Sequence, residues 1–353
     1  MNERYDFVDN MRAIGIVLVV LGHAPGLGIT LLQSIYGFHM PLFFFISGFL
    51  LRSKKLSMGI GDYLTTLWNS LVLPYLFFVI VSYLYWLPTH TAASKAAEYS
   101  ELAWYEPLSR LFIGYGHVAN IGLWFFTCLT VTSLAYYLFR RYFSEKATLF
   151  VIAVSSFCFI FLHQESWPRL PWCVDIAVVA LLFYSIGHYV SEHGRRFLLA
   201  HSKMKCFAIA LAAMALSVVL ATINGRVGLL DLNFGKNPVL FVPTAIAGII
   251  SVLFVSMVWN ANAVSRWLSL NTIIIFPVHA LMFSVFTGIA VILFKLPHNF
   301  KDSSEIYGLM YTVLALVLSY PTALVLYRLF PFVFGKRAQT IPNAAVRGRP
   351  SQT

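Results

Sequence analysis

Long apolar runs separated by short polar breaks make up most of this chain. Ten of them are long enough to cross a bilayer as helices, which takes roughly 17 to 25 residues. They lie near 10–28, 36–52, 66–87, 120–139, 147–163, 172–190, 204–222, 239–259, 269–294 and 306–333, those at 36–52 and 147–163 being the shortest. A helix satisfies its own backbone polar groups inside lipid. The expected fold class is therefore all-α: a polytopic membrane helix bundle with about ten transmembrane helices. One membrane domain is expected over 1–335, followed by a polar, disordered tail over 336–353 that holds Pro342, Gly348 and Pro350. No small-residue cleavage pattern follows the first run, which reads as a retained helix and not as a removed signal peptide. No convincing internal repeat is present, which weakens a transporter built from inverted halves.

Composition agrees with a lipid environment. Charged residues are 11% of the chain, against roughly a quarter in soluble domains. Apolar residues are 59% and aromatic residues 16%. In water that content would leave large exposed apolar patches. The net charge of +11 is explained by topology. With the N-terminus placed in the cytoplasm and the loops assigned alternately, 18 Lys and Arg fall on the cytoplasmic side and seven outside, accounting for all 25. The seven are Lys95, Arg110, Arg169, Arg226, Lys236, Lys295 and Lys301. This inside-positive bias holds loop by loop and puts both termini in the cytoplasm, so the basic charge calls for no nucleic acid. The longest loop, about 88–119, falls outside and carries Glu98, Glu101 and Glu106 with Trp104 and Tyr105. The four cysteines, Cys128, Cys158, Cys173 and Cys206, form no C-x-x-C pair and are expected to be buried structural residues.

Ionisable side chains within the runs are costly in lipid and mark candidate chemistry. The first run supplies the sharpest pair. Arg12 and His23 are eleven residues apart, three helical turns plus about 20°, so they share one helix face at an axial separation of roughly 16 Å. Arg12 sits at the cytoplasmic mouth, where a lone arginine is also a common snorkelling anchor. His23 lies deep, toward the outer half, where a packing histidine is the plain alternative. Asp9, three residues before Arg12, is placed to orient it or to sit at the helix N-terminus. His39 opens the second run from the outer side and can face the same cavity as His23. Trp124, Asp175, Asn271 and His279 are further candidates in later runs; an aromatic such as Trp124 is more often a belt or core residue. No phosphate-cradling loop, dinucleotide fingerprint or H-E-x-x-H is present, and no cluster has metal-ligand spacing. The remaining chemistry is acid–base work by histidine with cationic help.

At these residues the chain resembles acyltransferase family 3, the bacterial membrane O-acyltransferases, and within it the fucose 4-O-acetylase-like branch. The matching features are Asp9-x-x-Arg12 leading into Arg12-x10-His23, FHMPLFFFISGFLL at 38–51, LVLPYLFF at 71–78, LWFF at 123–126, LPWCVDIAVVALLFYSIG at 170–187, FGKNP at 234–238 and LSLNTIIIFPVHAL at 268–281. The resemblance implies a multi-pass enzyme of the bacterial inner membrane that moves an acyl group, usually acetyl from cytoplasmic acetyl-CoA, to a hydroxyl of a cell-envelope or exopolysaccharide glycan, which can be lipid-linked. It maps the family's arginine and histidine onto Arg12 and His23 as catalytic residues. Asp9, His39, Trp124, Asp175, Asn271 and His279 are then expected to bind acyl donor or acceptor. Acetyl-CoA is the expected donor, and no permanently bound cofactor or metal is expected. Relatives carry basic residues just before the L-x-P-Y segment. Here that stretch is Thr65-Thr66-Leu67-Trp68-Asn69, leaving Arg52, Lys54 or Lys55 to substitute. The competing classes are a transporter or flippase of sugar-linked lipid and a non-catalytic scaffold of polysaccharide synthesis. The Arg12–His23 helix favours the enzyme.

Overall fold

The computed structural model describes residues 5–90, 102–115 and 120–334. The tail expected over 336–353, and Glu98 and Glu101 of the long loop, lie outside the described residues. Among those described, the chain is a helix bundle without strands. Its helices are α1 (Asp6–Gly22), α2 (Ile29–Tyr36), α3 (His39–Phe49), α4 (Ser53–Leu56), α5 (Ile60–Leu67), α6 (Leu73–Thr89), α7 (Glu106–Ile113) and α8 (Trp124–Tyr142). They continue with α9 (Glu145–Leu162), α10 (Val174–Tyr189), α11 (Arg195–Leu199), α12 (Lys203–Asn224), α13 (Pro238–Val255), α14 (Ala263–Phe294), α15 (Glu305–Leu329) and α16 (Pro331–Phe334).

Nine helical stretches among the described residues are long and apolar enough to span a membrane. α1, at 17 residues, sits at the short end of the spanning range and makes the tenth. Several spans run beyond their expected bounds, Ile60–Thr89 and Pro171–Leu199 among them, and one is also broken. The broken span begins at Ile29, seven residues before the expected Tyr36, and is built from two half-helices, α2 and α3. Phe38 leaves the helical region (φ −144°, ψ −14°) between them, so His39 opens a new helix. Another span, Ile60–Thr89, is continuous through a wide π turn at Trp68–Val72, immediately before Pro74.

Burial separates an inner set of helices from an outer one. α1 packs against α2, α3, α13, α14 and α15; its Met11, Ile16, Val19 and Val20 are inaccessible. α9, α12 and α15 are peripheral and turn large apolar side chains outward, among them Phe150, Phe161, Met204, Leu211 and Val317. Lipid is the solvent that such a surface fits. A very close helix contact joins α3 to α10. A Cβ at Gly48 would fall on the Tyr184 carbonyl oxygen, and one at Gly187 on the Phe45 carbonyl oxygen. Each backbone occupies the space that a side chain on the other would need, which is how small residues bring membrane helices together.

Candidate active site

The site is built on α1 and on the helix that lies along it, α14. At one end of α1 the Arg12 Nη2 donates to Thr272 Oγ1 of α14 at 2.9 Å. One turn earlier, Ser269 Oγ donates to Asp9 Oδ1 at 2.7 Å, with both residues buried. Thr272 and Ser269 are three residues apart, as are Arg12 and Asp9, so the two helices are laced by matching pairs. Asn10 adds a third tie by donating to the carbonyls of Ser256 (3.0 Å) and Trp259 (2.8 Å).

Arg12 opens into a cavity of about 270 Å³ whose polar lining includes Ser47, Lys55, Thr66, Ser70 and Thr272. Lys55 is among the residues that the sequence offered in place of the missing cation before L-x-P-Y. Thr66, on the cation-free stretch, lines the same cavity. Phe43, Phe125 and Phe276 close the cavity with a connected set of rings, at 5.9 Å between Phe43 and Phe125 and 5.1 Å between Phe125 and Phe276. Phe276 then continues to His279, at 6.2 Å between ring centres.

Beyond that wall three histidines meet. His23 caps the C-terminus of α1, His39 opens α3 and His279 lies in α14. The His23 ring is 5.2 Å from that of His279 and 6.4 Å from that of His39. His39 and His279 are buried; His23, between them, is half-buried. Each Nδ1 faces the carbonyl oxygen four residues earlier: Val19 at 2.8 Å, Ile35 at 2.9 Å and Ile275 at 3.3 Å. A carbonyl only accepts, so each Nδ1 carries a proton, and a ring that is neutral keeps its lone pair on Nε2. The Nε2 of His279 is buried without a hydrogen-bond partner among the described residues. A buried, unsatisfied acceptor is costly, and a donor such as a substrate hydroxyl would satisfy it.

The remaining sequence candidates take other places. Asp175 pairs with Arg169 at 2.6 Å and accepts from the backbone N–H of Ile176 at 2.8 Å, fixing the entry to α10. Asn271 donates to the Trp267 carbonyl (2.8 Å) and accepts from the Tyr327 hydroxyl (3.0 Å), clasping α14 to α15. Trp124 is a buried core residue next to Phe125 at the start of α8. These contacts join neither the histidines nor Arg12. The FGKNP motif is a helix start. Gly235 has φ +88°, the Asn237 side chain accepts from the Val239 N–H, and Pro238 occupies the first turn of α13.

Some site residues were not anticipated from the sequence. Thr272 and Phe276 sit in LSLNTIIIFPVHAL, beside residues that were singled out. Tyr36, 4.9 Å from His39 and 6.1 Å from His23 between ring centres, looked like the plain start of an apolar run. Asn120, just before LWFF, is buried and donates to the Pro277 carbonyl at 2.7 Å and to Ser82 Oγ at 3.3 Å. It steadies the stretch of α14 that carries Phe276 and His279.

Fold and site together define a multi-pass helical membrane protein with a cation-bearing cavity lined by aromatic rings and a cluster of three histidines beyond them. A family model described as an acyltransferase domain, that of acyltransferase family 3, matches residues 5–328. The chain belongs to that family and is a membrane acyltransferase, as the motifs implied. No curated protein and no solved structure matches it.

Proposed function

We propose that this acyltransferase moves acetyl from cytoplasmic acetyl-CoA to a hydroxyl of a cell-envelope glycan, with His23 as the general base. One observation carries the reading. The Arg12 cavity and the histidine trio share α1 and α14, and Phe276, which lines the cavity, packs against His279 of the trio. A donor held at Arg12 and an acceptor at the trio would meet across that ring.

The cavity is smaller than the roughly 300 to 1,000 Å³ of typical ligand pockets. It suits the slender pantetheine arm of the donor, leaving the nucleotide at the mouth. Arg12 and Lys55 bring positive charge to that mouth, as phosphate oxygens require. The arm would then point its thioester toward Phe276 and the imidazoles. At the trio, a neutral imidazole accepts the hydroxyl proton through Nε2 while the acceptor oxygen attacks the thioester carbonyl. The new C–O bond forms, the C–S bond breaks, and its electron pair leaves on sulfur. The imidazolium then returns its proton to the coenzyme A thiolate, so protons and charge balance. His23 is assigned the base because it touches both other histidines and is the most open of the three. His39 and His279 position the hydroxyl.

The inner-membrane location, the cytoplasmic side of the Arg12 end and the acetyl specificity belong to this proposal. They rest on the 18-to-7 charge distribution and on the motif resemblance. The test is the acetyl content of surface glycan from a deletion strain and its complemented parent. Loss of acetyl with normal polymer yield supports the reading. Loss of the polymer itself would instead support a flippase or a scaffold.

A further inference from the structure

The loop between α12 and α13, residues 225–237, is unusually well fixed for a surface loop. Gly225, Leu232 and Gly235 all have positive φ (+79°, +55° and +88°). Gly228 and Asn233 form a reciprocal pair of backbone hydrogen bonds (2.9 and 3.0 Å). The fully buried Asn224 clamps the loop base through Phe234 O (2.9 Å) and the Asn237 N–H (2.9 Å). A Cβ at Gly235 would land on the Asn224 side chain, so this clamp requires glycine there.

The loop carries Arg226 over the ring of Tyr36, with the guanidinium carbon 5.9 Å from the ring centre. Tyr36 in turn touches His39 and His23. An ordered series therefore runs inward from an exposed Arg226, through a half-buried Tyr36, to the histidines. Arg226 forms no ion pair among the described residues. It is also one of only seven Lys and Arg assigned to the outer side. A fixed loop thus holds a guanidinium over the ring that touches the trio, on the side assigned to the exterior, where positive charge is scarce. Asp231 of the same loop, five residues on from Arg226, is an exposed carboxylate.

We propose that Arg226 and Tyr36 form the entrance subsite for the acceptor, and that the acceptor is an anionic sugar whose carboxylate or phosphate meets the guanidinium while its ring lies against Tyr36. A guanidinium matches either group with paired N–H donors, and a tyrosine ring offers a sugar an apolar face beside a polar tip. The charge fixes the sugar at the mouth and leaves a neighbouring hydroxyl directed at the trio. Asp231 tempers the local charge. The proposal rests on the reading of the trio as the site of the acceptor hydroxyl.

The test reads binding without acetyl-CoA. Full-length protein in detergent is titrated with methyl β-glucopyranoside, methyl β-glucuronide and glucose 1-phosphate by saturation-transfer NMR. At least one anionic probe is expected to bind about tenfold more tightly than the neutral one, the factor set by one good charge-assisted contact. Preference for the glucuronide points to an acidic glycan, and preference for the phosphate points to a phosphate-linked sugar. Arg226→Gln should erase the preference, Arg226→Lys should keep part of it, and Asp231→Asn should enlarge it. Equal binding of all three probes, no binding of any, or a preference that survives Arg226→Gln overturns the proposal. Acetyl content of surface glycan is measured in the same variants. An Arg226-dependent anion preference without acetyl transfer removes the proposed function and keeps the subsite. Transfer without the preference removes the subsite alone.

Discussion

Thr272→Val tests the hydrogen bond between the Arg12 guanidinium and α14. The substitution keeps the shape of the side chain and deletes the hydroxyl that accepts from Arg12 Nη2 at 2.9 Å. Thr272 lines the cavity, so water can replace part of the lost contact. A hydrogen bond to a charged group contributes roughly 1.5 to 3 kcal/mol. Arg12 has further interactions, which places the expected loss near the lower figure. If that hydrogen bond holds the guanidinium ready for donor phosphates, the loss appears in acetyl-CoA affinity as about a tenfold rise in Kd. Thr272→Ser restores the hydroxyl and should restore most of the affinity. The assay is equilibrium binding of labelled acetyl-CoA to purified protein in detergent, with thermal unfolding followed in parallel to exclude general damage. Wild-type affinity in Thr272→Val, or an equal loss in Thr272→Ser, would refute the reasoning.

Other substitutions test the remaining parts. Arg12→Lys should lose much of the same acetyl-CoA affinity, because an ammonium lacks the planar fork of donors; unchanged binding leaves Arg12 an anchor. Phe276→Leu thins the wall between cavity and trio and should raise acceptor-independent acetyl-CoA hydrolysis severalfold, read as free thiol; a rate no higher than wild type means that Phe276 does not separate the reactants. Gly48→Ala places a methyl on the Tyr184 carbonyl and should destabilise the bundle by about 1 to 3 kcal/mol, the usual cost of overpacking. Its control is Gly61→Ala, where the added carbon meets nothing within 4 Å and the unfolding temperature should hold or rise.

The bundle was legible because lipid imposes a simple rule. A span must be apolar for its whole length, and the ten runs fall on the observed helices. The exception is instructive. Ile29–Tyr36 contains Gln33 and Ser34 and reads as a connection, yet Ser34 Oγ donates to the Thr30 carbonyl at 2.7 Å and the segment completes a broken span. Helical periodicity put Arg12 and His23 on one face, and in the structure both lie against α14. His39 was expected to face the same cavity as His23, and their rings lie 6.4 Å apart; His279 was visible as a costly intramembrane histidine, but only packing shows that it meets His23. The same cost flagged Asp175 and Asn271, whose partners are Arg169 and Tyr327. Polarity inside a span signals that a partner exists and does not say whether the partner is protein or substrate. Arg226 and Tyr36 were out of reach, since 190 positions separate them and each is ordinary where it stands.

The central claim is that His23 takes the proton of the acceptor hydroxyl. The most direct measurement is acetyl transfer from labelled acetyl-CoA to glycan extracted from a deletion strain, by purified wild-type protein and by His23→Gln. Glutamine retains hydrogen bonding and cannot accept the proton. Loss of a general base costs about 10² to 10⁴ in rate. The account predicts a loss of that size in His23→Gln with acetyl-CoA binding intact, and a smaller loss in His39→Ala. Near wild-type transfer by His23→Gln, with His39→Ala or His279→Ala inactive, would contradict it and move the base to another histidine of the trio.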